Sequence, residues 1–286
     1  MEGVVVINGF LNGPKYREPA EMMVEAGRRH GVDIRIVQNT DIVSPIGDYD
    51  SVSKLTGDPD FFIYWDKSVK LAKDLENCGY PVFNCSECIR ICDDKALTHL
   101  TLDEYGVPSL RTICSPMSFG QSYTEWMPRV KEHLSYPLVA KDCCGSFGEQ
   151  VRLVTNDEQL FDEGREGTPK IFQEYIDCDG QDIRVEVVGD RVVAAVSRKA
   201  PAGDFRSNVT NGGTMTAYVP TKEEAELAIE AAAAVQADFA GVDILPSKDG
   251  PVVCEVNSNA HIKNLMNATG KDVSDDILNH IIALIG

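Results

Sequence analysis

Two acids and an amide in the stretch FAGVDILPSKDGPVVCEVN, residues 239–257, have the types and spacing of a hard-cation site. The stretch reads as two apolar strands, GVDIL and VVCEV, turned at Lys248-Asp249-Gly250. A three-residue hairpin loop commonly ends on a residue with positive φ, which glycine tolerates. That loop sets Ser247 against Pro251, and counting four residues outward on each side sets Asp243 against Glu255. Side chains alternate along a strand, so Asn257 joins Glu255 on one face and Val256 turns away. Opposed carboxylates roughly 5 Å apart repel one another. A divalent cation with oxygen ligands removes the conflict, and two carboxylates plus an amide carbonyl suit magnesium that also holds substrate phosphates. The plain alternative is a solvated hairpin face; the apolar runs around both acids argue against it.

Two lysines could serve the same chemistry. Lys141 lies in the otherwise apolar strand PLVAKDCC, where an unpaired charge is costly. The Gly-rich turn GSFGEQV follows, and such a loop either only reverses the chain or brings backbone N–H groups onto phosphates. Lys95 sits in the first turn of a helix capped by Asp93-Asp94, where the dipole disfavours a cation. It is either an exposed side chain or a partner for phosphate oxygens at that helix N-terminus. Cys85, Cys88 and Cys92 are spaced C-x2-C-x3-C, but no second CxxC and no paired histidines accompany them. They read as reduced thiols on a helix, filling small apolar positions in a cytosolic protein.

The 286 residues suffice for roughly two domains of ~150 residues each. A composition of 43% hydrophobic and 25% charged residues is that of a globular chain able to bury a core. The formal charge of −18 argues against nucleic-acid or anionic-membrane partners, which need basic patches. No stretch of 18 apolar residues offers a membrane span, and the N-terminus carries an acid where a signal peptide would be basic.

Strand and helix patterns alternate through VVVINGF, a helix ending at Gly31, IRIVQ, FFIYW, and a helix followed by PVF. This predicts a small parallel α/β domain over about residues 1–90. Neither a dinucleotide fingerprint nor a Walker loop is present. From Tyr136 the pattern changes to hairpins: PLVAKDCC with VRLVT, IFQEYI, and DIRVEVVGDRVVAAVSRKA about Gly189-Asp190. Arg184 and Glu186 share one face there, Arg198 and Lys199 end the return strand, and GDFRSNVTNGG supplies Arg206, Ser207 and Asn208. Thr221-x-x-Glu224 is a capping box opening an Ala-rich helix, and VSDDILNHIIALI closes the chain as an amphipathic helix.

The ordered set of a strand lysine before a Gly-rich loop, QEYI, DIR, RKAPAGDFRSN, GVDIL and CEVN closely resembles the ATP-grasp superfamily, and within it the RimK-type glutamate ligases. The resemblance spans about residues 90–272. It implies a small parallel α/β N-terminal domain (1–92) followed by a two-lobed ATP-grasp domain (93–286), with lobes of about 93–175 and 176–286. It also implies ATP with magnesium, or manganese in its place, and a cytoplasmic enzyme that joins a carboxylate to an amine through an acyl phosphate. Carried over by position, Lys95 and Lys141 contact the phosphates and the region near the adenine, and Gly145, Ser146 and Gly148 form a lid. Glu174 and Tyr175 border adenine and ribose, and Asp182 lies at the nucleotide site. Arg198, Arg206, Ser207 and Asn208 meet phosphate or acyl phosphate, with Arg206 the first candidate for oxyanion stabilisation and Arg198 the second. Asp243, Glu255 and Asn257 hold the metal. The implied partners are ATP, a carboxylic acid and an amine on an amino acid, peptide or protein tail. A departure follows EVN, where RimK-type ligases continue Ser-Pro-Gly and this chain reads SNAHIKN. His261 and Lys263 there either bind an extra anionic group of the substrate or start a surface helix. A small-molecule kinase on the same fold and a nucleotide-binding regulatory protein are the alternative functions.

Overall fold

The computed structural model describes residues 1–11, 13–121, 124–145, 150–201, 203–206 and 212–286. Its first part alternates β1 (Glu2–Ile7), α1 (Pro14–His30), β2 (Asp33–Gln38), α2 (Tyr49–Thr56), β3 (Phe61–Trp65), α3 (Val69–Asn77) and β4 (Val82–Phe83). The sheet order is β2-β1-β3-β4, every pair parallel. Strands β1 and β3 are covered on both faces, which is why they read as unbroken apolar runs. Helix α1 ends at Gly31, whose φ of 71° makes the left-handed cap read from the sequence. Strand β1 stops at Ile7 rather than Phe10, because Asn8 folds its side chain back onto the Phe10 N–H (2.8 Å) and donates to Asp66 (2.9 Å). Helix α2 is only eight residues long and mostly polar, too short to show a clear apolar period in the sequence.

Two short helices follow, α4 (Ser86–Asp93) and α5 (Lys95–Glu104). Asp94 separates them and caps α5, accepting from the Ala96 and Leu97 amides at 2.9 and 3.3 Å. Cys88 and Cys92 are buried in the apolar core with Leu102 and Val107, as fillers of small positions. A second sheet, β5-β8-β6-β7, is antiparallel and comprises β5 (Thr112–Cys114), β6 (Leu138–Asp142), β7 (Val151–Val154) and β8 (Lys170–Glu174). Helices α6 (Val130–His133) and α7 (Asp157–Arg165) lie between its strands in sequence. Strand β8 ends at Glu174, two residues before the expected Ile176.

The third sheet, β11-β10-β9-β12-β13, is antiparallel throughout. It contains β9 (Gln181–Val188), β10 (Arg191–Lys199), β11 (Thr214–Ala217), β12 (Phe239–Ser247) and β13 (Gly250–Asn257), with α8 (Lys222–Ala234) inserted after β11. Helices α9 (Ile262–Thr269) and α10 (Ser274–Ile285) end the chain. Helix α8 begins with the expected reciprocal capping box of Thr221 and Glu224. Its alanines let it lie flat on Ile183, Val185, Val187, Val242, Ile244, Val253 and Val256. The opposite sheet face is divided. At one end Val188, Val196 and Phe239 pack with Val5, Ile63 and Trp65 of the first sheet and with α9 and α10. At the other end the face carries charge.

The hairpin β12–β13 reaches the expected pairing by a different route. Its loop has two residues, Lys248 and Asp249, and Ser247 faces Gly250 instead of Pro251. A bulge at Cys254 then adds one residue to β13 and restores Asp243 opposite Glu255. Among the described residues, no helix is long and apolar enough to cross a membrane.

Candidate active site

Strand β9 alternates apolar residues under α8 with Asp182, Arg184 and Glu186 on the opposite face. Register carries this alternation across the sheet: Arg198 pairs with Asp182, and Asp243 pairs with Arg184 on one side and Glu255 on the other. All six side chains line one cavity of about 400 Å³. The bulge matters here. Both Cys254 and Glu255 line the cavity, while Val253 and Val256 on either side remain in the core.

Charges on this face are matched in pairs. Arg184 grips Asp243 with two parallel bonds of 2.7 and 2.8 Å, and Arg198 adds a third at 2.9 Å. The same Arg198 forks onto Asp182, with Nε at 2.7 Å from Oδ1. Burial pushes the Asp243 carboxyl up, but Arg184 and Arg198 outweigh it and hold it at about 2. Repulsion between Asp243 and Glu255 is therefore not what calls for a cation, contrary to the sequence argument. Two guanidinium groups already offset Asp243, and Lys95 stands 3.5 Å from Glu255.

Acceptor capacity for a hard cation remains. Among the described residues Asp243 Oδ1 carries one hydrogen bond, from Arg184 Nε, and keeps a lone pair. Asn257 donates through Nδ2 to the Gly241 carbonyl (3.3 Å), leaving its own oxygen uncommitted by that bond. The Glu255 side chain is 32% exposed. Among the described residues no cluster of three His, Cys, Asp or Glu is gathered for a metal. A cation would rest on two carboxylates and Asn257, with further oxygens from bound phosphate, and the donor set fits that use.

The facing walls come from the other sheets. Lys95 Nζ donates to the Gly145 carbonyl at 3.0 Å, which ties α5 to the loop after β6. Lys141, buried as expected, points at Cys254 Sγ (3.6 Å). Behind them His99 receives the Gln173 amide at 2.7 Å, and burial with Lys141 nearby drives its pKa down to about 3, so it stays neutral. Glu174 accepts from the Arg111 N–H (2.8 Å). Tyr175 meets Phe205 edge-on at 6.2 Å, and Arg206 is held by Asp204 at 2.9 Å.

Of the residues singled out from sequence, Lys95, Lys141, Gly145, Glu174, Tyr175, Asp182, Arg198, Arg206, Asp243, Glu255 and Asn257 all line this cavity. Ser146, Gly148, Ser207 and Asn208 lie outside the described residues. His261 and Lys263 do not act as a pair. His261 precedes α9 and lines the cavity, with Nε2 2.9 Å from the Lys15 carbonyl. Lys263 faces a different depression, beside Arg17 and Met266. Arg184 and Glu186 were not assigned a role from sequence. Their signal was available: three charged residues at alternate positions of an apolar strand mark a functional face. Lys15 and Glu18 of α1 also line the cavity, and nothing local in the sequence announces that.

Glu186 is 4% exposed, and its Oε1 has no hydrogen-bond partner among the described residues. Burial raises its pKa to about 7; Arg184 opposes the rise and the Asp243 charge adds to it. The native state therefore holds this proton between about pH 4.5 and 7 while the unfolded chain has lost it, so Glu186 subtracts stability as pH rises through that window. Glu186→Gln is expected to stabilise the protein at pH 8, by on the order of 3 kcal/mol, and to leave it unchanged at pH 4. Urea melts at the two pH values check this, and equal melts at pH 8 would refute it.

Gly241 sits beside that carboxyl. A Cβ there would stand 2.9 Å from Glu186 Oε1 and 2.9 Å from the Ala260 Cβ. Gly241→Ala is expected to cost about 1–3 kcal/mol by overpacking, read as a fall in melting temperature.

Comparison with known proteins accords with this geometry. A model of the RimK-like ATP-grasp domain matches residues 92–281. The probable alpha-L-glutamate ligase 2 of Hahella chejuensis is 35% identical over 216 residues, covering 73% of this chain and 69% of that protein. A RimK domain ATP-grasp protein from Sphaerobacter thermophilus shares the fold with a TM-score of 0.72 at 18% identity, over 98% of this chain and 99% of its own. The ATP-grasp ligase PsnB, solved with a phosphomimetic variant of its minimal precursor, Mg and ADP, gives 0.74 at 17% identity, over 99% and 98%.

Proposed function

This chain belongs to the RimK-like ATP-grasp family, whose ligases use ATP to join a carboxylate to an amine, and from that premise we propose how its cavity does so. Residues 93–175 and 176–286 act as two lobes that clamp the nucleotide, beside the N-terminal unit of residues 1–92. Lys95, Lys141 and the loop from Gly145, with Ser146 and Gly148, hold the phosphates. Glu174 and Tyr175 border adenine and ribose, with Asp182 nearby, and Ser207 and Asn208 add phosphate contacts. Asp243, Glu255 and Asn257 would hold magnesium, or manganese in its place, and such a divalent ion would offset charge on the phosphoryl oxygens.

Phosphoryl transfer asks the protein mainly for positioning and charge neutralisation. The lysines fix the phosphate chain, and the carboxylate substrate then receives the terminal phosphoryl group to become an acyl phosphate. An amine attacks its carbonyl, and phosphate leaves. Arg206 donates to the oxygen on which charge builds during that attack, with Arg198 second. Asp182 and Asp243 hold Arg198 rigid, so it needs no reorganisation.

One observation carries this reading: lysines on α5 and β6 converge with the Arg184–Asp243–Glu255 row on a single cavity of about 400 Å³, a size suited to a small ligand. The amine belongs to an amino acid, a peptide or a protein tail, and glutamate is the first substrate to try, given the name of the Hahella relative. Nine free thiols and a demand for ATP favour work in the cytoplasm. The test is a phosphate-release screen of amino acids and other acids, pairwise, with ATP and magnesium. A ligase releases ADP and phosphate only when both acid and amine are present. ADP without free phosphate would mark a kinase and overturn the proposal, as would no turnover with any pair.

A further inference from the structure

We propose that Lys95 guards Glu255, so that a divalent ion settles on the Asp243–Glu255–Asn257 row only in company with a nucleotide. This rests on the metal assignment made above and adds the condition under which that row takes its ion. Lys95 Nζ lies 3.5 Å from Glu255 Oε1 and donates to the Gly145 carbonyl at 3.0 Å. Its side chain is 12% exposed, so water and salt screen the contact less than they would at the surface.

The side chains alone bring the charges of this face into balance. Asp182, Asp243 and Glu255 are answered by Arg198, Arg184 and Lys95 at 2.7, 2.7 and 3.5 Å. Glu186 and Lys141, which also line the cavity, add one acid and one cation. A bare divalent ion therefore meets no net negative field at the row. Asp243 cannot supply one, because Arg184 and Arg198 both bind it. Glu255 is the most open of the three acids, and an ion reaching it must first displace the ammonium of Lys95.

A triphosphate reverses that balance. It brings several negative charges into the cavity, and they compete with Glu255 for the Lys95 ammonium. Lys95 is built for such an exchange: its backbone is fixed and its stem is not. Asp94 caps the first turn of α5 through the Ala96 and Leu97 amides, while the four-carbon side chain swings between partners. With the lysine drawn onto phosphate, Glu255 regains an uncompensated charge. Phosphate oxygens beside it then complete the oxygen-rich donor set that two carboxylates and one amide leave short. The exchange keeps free ions off the row and admits one that is already positioned against phosphate.

The probe is manganese(II), titrated into the full chain at pH 7 and followed by water-proton relaxation, which separates protein-bound ion from free and nucleotide-bound ion. Surface acids also take up manganese, so Glu255→Ala defines the background. Without nucleotide, the unaltered chain should bind no more than that background. Lys95→Met and Lys95→Gln should each bind about tenfold more tightly or better, since each removes a full opposing charge. Lys95→Arg, which keeps the charge, should stay at background, and Glu255→Ala added to Lys95→Met should abolish the gain. A non-hydrolysable ATP analogue should give the unaltered chain a bound ternary complex. Circular dichroism verifies the fold of each variant. Background binding by both neutral variants, or no ternary complex, would overturn the guard. Tight binding by the unaltered chain without nucleotide, lost in Glu255→Ala, would overturn the guard and leave the metal assignment standing. A gain at Lys95→Met that survives Glu255→Ala would overturn both.

Discussion

Glu255→Ala is expected to lower magnesium-dependent ATP turnover by a hundred- to a thousand-fold or more while the protein still unfolds cooperatively near its normal temperature. The first part follows from charge. Under the proposed assignment Glu255 acts through the cation it would hold, and losing a group that offsets charge on transferring phosphoryl oxygens is commonly worth that much in rate. The second follows from exposure: Glu255 is a third exposed and its ion pair with Lys95 spans 3.5 Å, so little stability goes with it. Asp243→Ala should lose turnover equally but behave differently as a protein. Its carboxylate anchors Arg184 and Arg198, and removal leaves two buried cations short of a counter-charge. A loss of about 3–5 kcal/mol is expected, and Asp243→Asn should recover part of that stability without recovering turnover. Steady-state ATPase assays with thermal melts separate these cases. Full turnover in both alanine variants would remove the metal assignment.

Asn84→Ala should be among the most destabilising single changes away from the charged face. Its side chain, fully buried, makes four bonds to backbone: it accepts from the Asp238 and Phe239 amides at 2.7 and 3.2 Å and donates to the Phe239 and Ser258 carbonyls at 2.9 and 3.0 Å. These clamp the segment after β4 onto the start of β12 and the end of β13. Truncation leaves several buried polar groups unpaired, each costing about 1–3 kcal/mol, so a total of roughly 4 kcal/mol or more is expected in chemical denaturation. The turn bearing Asn259 and His261 should loosen with it. Hydrogen exchange at Phe239 is the direct readout, and a variant with wild-type protection and stability would refute the clamp.

Local patterns carried much of this molecule. The alternation of strand and helix in the first ninety residues fixed a parallel sheet, because only apolar runs such as FFIYW survive with both faces covered. Asp94, Gly31 and the Thr221–Glu224 box wrote their helix ends directly, since caps depend on a few neighbouring residues. The period of two in DIRVEV and GVDIL committed Asp182, Arg184, Glu186 and Asp243 to one face, and of the described residues singled out from sequence all but Lys263 reached the same cavity.

What the chain order could not decide was how charges on that face would be shared. From β12 and β13 alone, Asp243 and Glu255 looked like a repelling pair. Only the arrival of β9 and β10 brought the arginines that neutralise Asp243. The hairpin count reached the right partners through the wrong loop, because a bulge at Cys254 cancelled a one-residue error that no local rule exposes. The contribution of α1 to the cavity, the separation of His261 from Lys263, and the clamp at Asn84 likewise join segments more than a hundred residues apart in the chain or on opposite sides of one helix. Sequence determined which groups each strand offers and to which face. Burial against other strands and helices decided their partners and charge state, because electrostatic energies depend on distance and surrounding dielectric, quantities that exist only once the chain is packed.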